Sequence, residues 1–226
     1  MQVVVPFAAE TPKTRLRSVL SAAERSRFAR AMLADVLEAL ARTGHDLTVV
    51  ATSPLSSDDD LVGVPSTVRV EVDDRPLTDA VDARLPRRGR TGEPVAVVMA
   101  DLALATPESL EGLFGPDADV VIAPGRGGGT NALVVRHPDF RADYHGASYL
   151  DHRAAANGVG ASLETIDSFR LGTDIDEPAD LVEVLIHGTG RSPECLRALG
   201  FELERTDGRV DTERSLDSTS ADSRSR

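Results

Sequence analysis

The sequence holds no tryptophan, a single cysteine and a single lysine. Aromatic residues make up only 4% of it, so any core must be built from aliphatic side chains. One cysteine, Cys195, excludes an intrachain disulfide and suits a reducing compartment, the cytoplasm. No apolar run approaches the ~20 residues of a membrane span, and no basic start followed by an apolar stretch marks a secretory leader. Cations are outnumbered: 25 lysine plus arginine stand against 37 aspartate plus glutamate, a net charge of -12. That balance argues against general binding to nucleic acid or to an anionic membrane. Acidity with arginine in place of lysine fits a halophilic, salt-accumulating cytoplasm, because at ~1 M salt the Debye length is ~3 Å and surface repulsion is muted. GC-rich codon usage plus an acidic tail is the other explanation.

What is present is an alternation of strand and helix. At 226 residues the chain can bury a core without staples. Val3-Val4-Val5 predicts a buried first strand that ends at Pro6. Ser21-Ala22-Ala23-Glu24 is a capping box, Phe28, Met32, Val36, Leu37 and Leu40 follow at helical spacing, and Gly44 closes the helix. Further strands are expected at Leu47–Thr52, Thr67–Val72, Val95–Met99, Val120–Ala123, Asn131–Arg136 and Ser162–Ile166. Helices are expected at Leu77–Leu85, from Pro107 to Phe114, at Ser148–Asn157, at Pro178–His187 and from Ser192 to Gly200, and Phe201–Arg205 reads as a last edge strand. Ser56–Asp60 and Pro86–Pro94 read as loops. The pattern predicts an α/β fold with a mostly parallel, mixed sheet flanked by helices, in one domain over 1–205. From Thr206 the composition turns polar, which predicts a disordered tail over 206–226.

Several residues can carry chemistry. Lys13 and Arg15 lie in the loop after the first strand, where polyphosphates bind at the carboxyl edge of a parallel sheet. A compact ammonium differs from the planar fork used everywhere else in the chain, which marks Lys13. Asp101 directly follows a buried strand. Asp174 and Asp176 share one face of an extended segment, and with Asp101 they form a candidate site for Mg²⁺, a hard cation that takes carboxylates plus substrate phosphates. Helix capping and solvation would also account for these aspartates. The glycine-rich loop Pro124–Thr130 resembles neither a P-loop nor a dinucleotide fingerprint. It is either a hairpin or an anion nest in which Arg126 and Thr130 bond a phosphate or carboxylate. Ser148 opens a helix, as a plain cap or as a phosphate ligand. His152, one turn on, reads as a surface or packed histidine.

Five segments together resemble the 2-phospho-L-lactate guanylyltransferases of coenzyme F-420 biosynthesis, within the nucleotidyltransferases of glycosyltransferase-A-like fold. They are Pro12–Leu16, Ala100–Leu102, Ala123–Asn131, Tyr144–His152 and Asp174–Leu181, and the resemblance spans about residues 2–205. It implies GTP and 2-phospho-L-lactate as substrates, Mg²⁺ on Asp101, Asp174 and Asp176, Lys13 and Arg15 facing the nucleotide phosphates, and a homodimer. It implies that Thr130 and Ser148 hold the acceptor phosphate; Arg126 and Asn131, in the same loop region, are further candidate substrate-binding residues. A related transferase acting on phosphoenolpyruvate, 3-phosphoglycerate or a sugar phosphate, or a non-catalytic nucleotide-binding regulator, are the alternatives.

Overall fold

The computed structural model describes residues 1–55, 67–88, 92–206 and 208–215. The loop expected at Ser56–Asp60 lies outside them, as does part of Pro86–Pro94. Seven strands build the main sheet: β1 (Gln2–Phe7), β2 (Asp46–Ala51), β3 (Arg69–Val72), β4 (Val95–Val98), β5 (Val120–Pro124), β6 (Thr130–Val135) and β7 (Leu163–Thr165). Their order is β3-β2-β1-β4-β6-β5-β7. Strand β6 runs antiparallel to both neighbours and every other pairing is parallel, so the mixed, mostly parallel sheet is as expected.

Helices cover both faces: α1 (Ala22–Ala41), α2 (Leu77–Asp82), α3 (Pro107–Phe114), α4 (Ser148–Gly158), α5 (Phe169–Gly172), α6 (Leu181–His187) and α7 (Arg191–Ala198). The larger core packs Val3 and Val5 against Phe28, Leu33 and Leu37 of α1, Leu110 of α3 and Leu196 of α7. The smaller one packs Val4, Val97, Ile122 and Leu133 against Val81 of α2 and Ala156 of α4. Burial on both faces explains the unbroken apolar runs of the central strands. The capping box of α1 forms, with Ser21 N–H donating to Glu24 Oε2 at 2.7 Å, and Gly44 takes its left-handed turn at φ 72°.

Some boundaries differ from expectation. Strand β1 does not stop at Pro6. It pairs with β2 through Phe7, whereas its pairing with β4 ends at Val4, so Pro6 sits where an N–H on that side has no ladder to join. The helix expected from Pro178 starts as a short 3-10 turn, Pro178–Asp180, before α6. The last expected strand does not join the main sheet. It is β8 (Phe201–Thr206), which among the described residues pairs only with β9 (Arg209–Arg214).

The tail over 206–226 is therefore corrected: its first part is a hairpin strand, and 216–226 lie outside the described residues. The missed signal is Arg214. Its guanidinium donates to the Val19 carbonyl at 2.6 Å and the Leu199 carbonyl at 3.0 Å, pairs with Glu24, and lies 5.2 Å from the Phe201 ring centre. One arginine so bound fastens a segment with little apolar surface of its own.

Two details aim side chains at the carboxyl edge. First, the register of β5 against β6 slips between Ala123 and Pro124, so that Ala132 and then Thr130 are paired and Asn131 is passed over. Such a bulge re-aims neighbouring side chains. Second, a 3-10 helix, Thr14–Ser18, follows the β1 loop and turns Lys13 inward.

Candidate active site

Lys13 is, among the described residues, the one non-glycine with positive φ, at φ 54° and ψ 46°. A left-handed backbone costs an ordinary residue about 1–2 kcal/mol. What holds it there is the side chain, which is 9% exposed and reaches two carboxylates. Its ammonium donates to Asp101 Oδ2 at 2.5 Å and to Asp176 Oδ1 at 2.6 Å. Arg15, mostly in solvent, donates to Asp176 Oδ2 at 2.8 Å. Burial is the largest single influence on Lys13 and works against its charge. The two aspartates together outweigh it and hold the pKa above the ordinary lysine value.

The carboxylates arrive from distant parts of the chain. Asp101 follows β4, and Asp174 and Asp176 lie between α5 and α6. The segments are tied by Ile175 N–H donating to the Asp101 carbonyl at 3.3 Å. Asp180 accepts from Asp176 N–H at 3.0 Å and Glu177 N–H at 2.7 Å, which sets the turn after Asp176. Asp174 accepts from Asn131 Nδ2 at 3.1 Å, and the same amide donates to the Leu171 carbonyl at 2.9 Å. Burial, then the nearby Asp101 and Asp176 charges, raise the Asp174 pKa against the lowering effect of Asn131.

This donor set fits a divalent cation in one respect that the side chains alone reveal. Asp101 Oδ1 is buried and has no hydrogen-bond partner among the described residues. A buried carboxylate oxygen is costly unless something completes it. Among the described residues no three carboxylate, histidine or cysteine side chains are already gathered at metal-binding spacing. Lys13 stands between Asp101 and Asp176 instead.

On the other side of β6 the chemistry is neutral. Thr130 N–H donates to Ser148 Oγ at 2.9 Å, so Ser148 is spent across the loop rather than capping α4, whose N-cap is Ala147. Thr130 Oγ1 lies 2.8 Å from His152 Nδ1, and His152 Nε2 accepts from Asp143 N–H at 2.9 Å. A backbone amide can only donate, so the neutral imidazole carries its proton on Nδ1 and donates it to Thr130. His152 is fully buried, and burial pulls its pKa down to about 4. His152, read from the sequence as a surface or packed histidine, is the link that orients Thr130. Neighbouring helix residues could not reveal it, because its partners lie 9 and 22 positions away.

Arg126 is not brought into either group. Its side chain is exposed and its guanidinium lies 5.4 Å from the Phe169 ring centre. The loop itself is shaped by Gly125, where a Cβ would sit 2.5 Å from Asn131 Oδ1. Lys13, Arg15, Asp101, Asn131, Asp174 and Asp176 thus form one connected cluster, and Thr130 and Ser148 a second beside it.

A family model described as "Guanylyl transferase CofC like" matches residues 1–215. The chain belongs to that family. Membership makes it a nucleotidyltransferase. A 2-phospho-L-lactate guanylyltransferase of Haloterrigena turkmenica is 67% identical over 222 residues, covering 93% of this chain and 95% of that one. One of Natrialba magadii is 63% identical, covering 93% and 97%, and one of Haloferax volcanii 56%, covering 95% and 98%. Among solved structures, a protein of Desulfovibrio desulfuricans described as a nucleotide-diphospho-sugar transferase superposes with a TM-score of 0.71 at 15% identity, covering 87% of this chain and 94% of that one. That likeness shows the fold of nucleotide-diphospho-sugar transferases.

Proposed function

We propose that this family member joins GTP and 2-phospho-L-lactate, giving lactyl-2-diphospho-5'-guanosine and pyrophosphate, in coenzyme F-420 biosynthesis. The observation that carries the reading is the single lysine seated between Asp101 and Asp176 at the carboxyl edge of the sheet, in a chain 67% identical to a guanylyltransferase. An oxygen of the acceptor phosphate attacks the α-phosphorus of GTP. The new P–O bond forms as the bond from the α-phosphorus to the bridging oxygen breaks, and pyrophosphate leaves with that electron pair. The second pKa of a phosphate monoester is about 6, so the nucleophile is already an anion at neutral pH. No general base is needed, which agrees with the absence of a nucleophile–histidine–carboxylate relay among these residues.

Positioning and charge neutralisation remain for the protein to supply. Lys13 and Arg15 face the triphosphate and offset its charge. Thr130 and Ser148 orient the acceptor through hydroxyls whose lone pairs are already engaged by protein N–H donors. A divalent cation such as Mg²⁺, held by Asp101, Asp174 and Asp176 when bound, would neutralise phosphate oxygens as a Lewis acid. The same reading places the enzyme in the cytoplasm of a halophile as a homodimer. Analytical ultracentrifugation in high salt tests the dimer.

The decisive assay incubates the protein with Mg²⁺, GTP and, separately, phospholactate, phosphoenolpyruvate and 3-phosphoglycerate at high salt, and weighs the products by mass spectrometry. Lactyl-2-diphospho-5'-guanosine with stoichiometric pyrophosphate is expected. A guanylylated product from another acceptor in preference to phospholactate would move the acceptor assignment, and no pyrophosphate with any acceptor would overturn the reading.

A further inference from the structure

The cleft that holds the lysine extends beyond the charged cluster. It is one cavity of about 420 Å³. The strand order puts Lys13, after β1, and Asp101, after β4, at one end with Asp176, and Asp73 and Arg75, after β3, at the other beside Leu77, which opens α2. The cations of the first end suit phosphates. A nucleoside triphosphate laid along this cleft therefore puts its base at the second end.

That end contains an ion pair of unusual asymmetry. The Asp73 side chain is 8% exposed and is gripped by two arginines. Arg84, itself mostly buried, donates to Asp73 Oδ2 at 2.7 Å and is anchored in addition on the Ala80 carbonyl and on Glu71. Arg75 is half exposed, and its side-chain hydrogen bonds all go to Asp73: Nε–H to Oδ1 at 2.8 Å and Nη2–H to Oδ2 at 2.7 Å. Arg84 is built in. Arg75 is a removable cover on the carboxylate.

The fork that Arg75 presents is two parallel N–H donors on one carbon. Guanine offers the same pattern along one edge, N1–H beside the 2-amino N–H, because its N1–C2–N2 unit is itself a guanidine fragment. Adenine places an acceptor at N1, which a carboxylate repels. We propose that Asp73 reads the guanine base, and that Arg75 occupies the place the guanine edge would take. Arg84 stays behind when Arg75 swings out, so the carboxylate that meets guanine remains ionised and in place. This inference rests on GTP being the nucleotide of the proposed reaction.

Direct binding of GTP, ITP and ATP, by calorimetry on the full chain with Mg²⁺, tests it. ITP differs from GTP only by lacking the 2-amino group. A site that hydrogen-bonds a substrate N–H rejects the analogue without it, and a hydrogen bond to a charged acceptor corresponds to roughly 10-fold or more in affinity. The wild-type protein is expected to prefer GTP to ITP by about that factor. Asp73→Asn is expected to lose the preference. Arg75→Ala uncovers the carboxylate without touching its anchor, and is expected to keep the preference and tighten GTP severalfold. It also guards against a fold defect in Asp73→Asn. If Arg75→Ala weakens all three nucleotides alike, the pair is structural and the inference fails. Equal wild-type affinity for GTP and ITP overturns this inference alone, whereas binding of no nucleoside triphosphate overturns the functional reading with it.

Discussion

The two sides of the bulge in β6 are made in opposite ways. Asn131 leads to Asp174 and the charged cluster, where Lys13 sits in a left-handed backbone and one Asp101 oxygen has no partner. Thr130 leads to Ser148 and His152, where every polar contact is neutral and both ring nitrogens are satisfied. The first group holds a buried carboxylate oxygen without a partner among the described residues, whereas the second has both imidazole nitrogens paired within the protein. In the proposed reaction the charged group would meet the polyphosphate, and the neutral group would orient the small acid. Buried polar groups tolerate either arrangement only if each atom has a partner in the working state.

That contrast can be broken by experiment, and the charged side is where the largest effects are expected. Asp101→Asn and Asp176→Asn should each lower the rate of pyrophosphate release by at least ~10²–10³, the usual effect of removing one charge-stabilising group. Their thermal midpoints should stay within a few degrees of wild type. A collapse of the fold in both would mean that the cluster is scaffolding. Lys13→Arg keeps the charge but replaces a point donor with a longer planar fork between two carboxylates. A loss of ~10–100-fold in kcat/KM is expected by the same reasoning about misplaced charge. Unchanged kcat/KM would show that the lone lysine is incidental.

The neutral side should answer in stability first. Thr130→Val strands the His152 Nδ1–H in the interior, and an unpaired buried donor costs about 1–3 kcal/mol. Urea denaturation should show a loss of that size together with a raised KM for the acceptor. An unaltered KM would separate Thr130 from acceptor binding. His152 gives a finer test through pH. Its pKa of about 4 lies below the ordinary histidine value of ~6.5, so the unfolded chain takes up the proton first. Stability attributable to the neutral ring is full above pH ~6.5 and falls as pH drops toward 4, by on the order of 3 kcal/mol in all. His152→Gln should flatten that part of the pH profile. A ring that titrates near 6.5 by NMR would contradict the closed, neutral arrangement.

How much of this could be read from the chain alone depended on the range of the interaction. Apolar runs such as Val95–Val98 and Val120–Ala123 announce central strands, because burial on both faces leaves no room for polar residues. The capping box at Ser21 announces a helix start, because its partner Glu24 lies three residues away. Lys13 and Asp101 were expected at one edge from their places after strands, and Asp176 from its pairing with Asp174 ahead of a helix; the contacts join residues 88 and 163 positions apart. Three things were not visible. A slip in pairing at Asn131 is a property of two strands, not of one. The service of His152 to Thr130 depends on which nitrogen a distant backbone amide chooses. The strand Arg209–Arg214 is polar and looks like tail, yet Arg214 finds carbonyls from residues 19 and 199.

That last contact reaches past the hairpin itself. Val19 and Glu24 bracket the entry to the longest helix, so a side chain near the far end of the chain acts as the clasp on its first turn. Shortening the protein to its apolar part, a natural choice for anyone preparing it for crystals, would undo that clasp. Any shortened form must therefore keep Arg214.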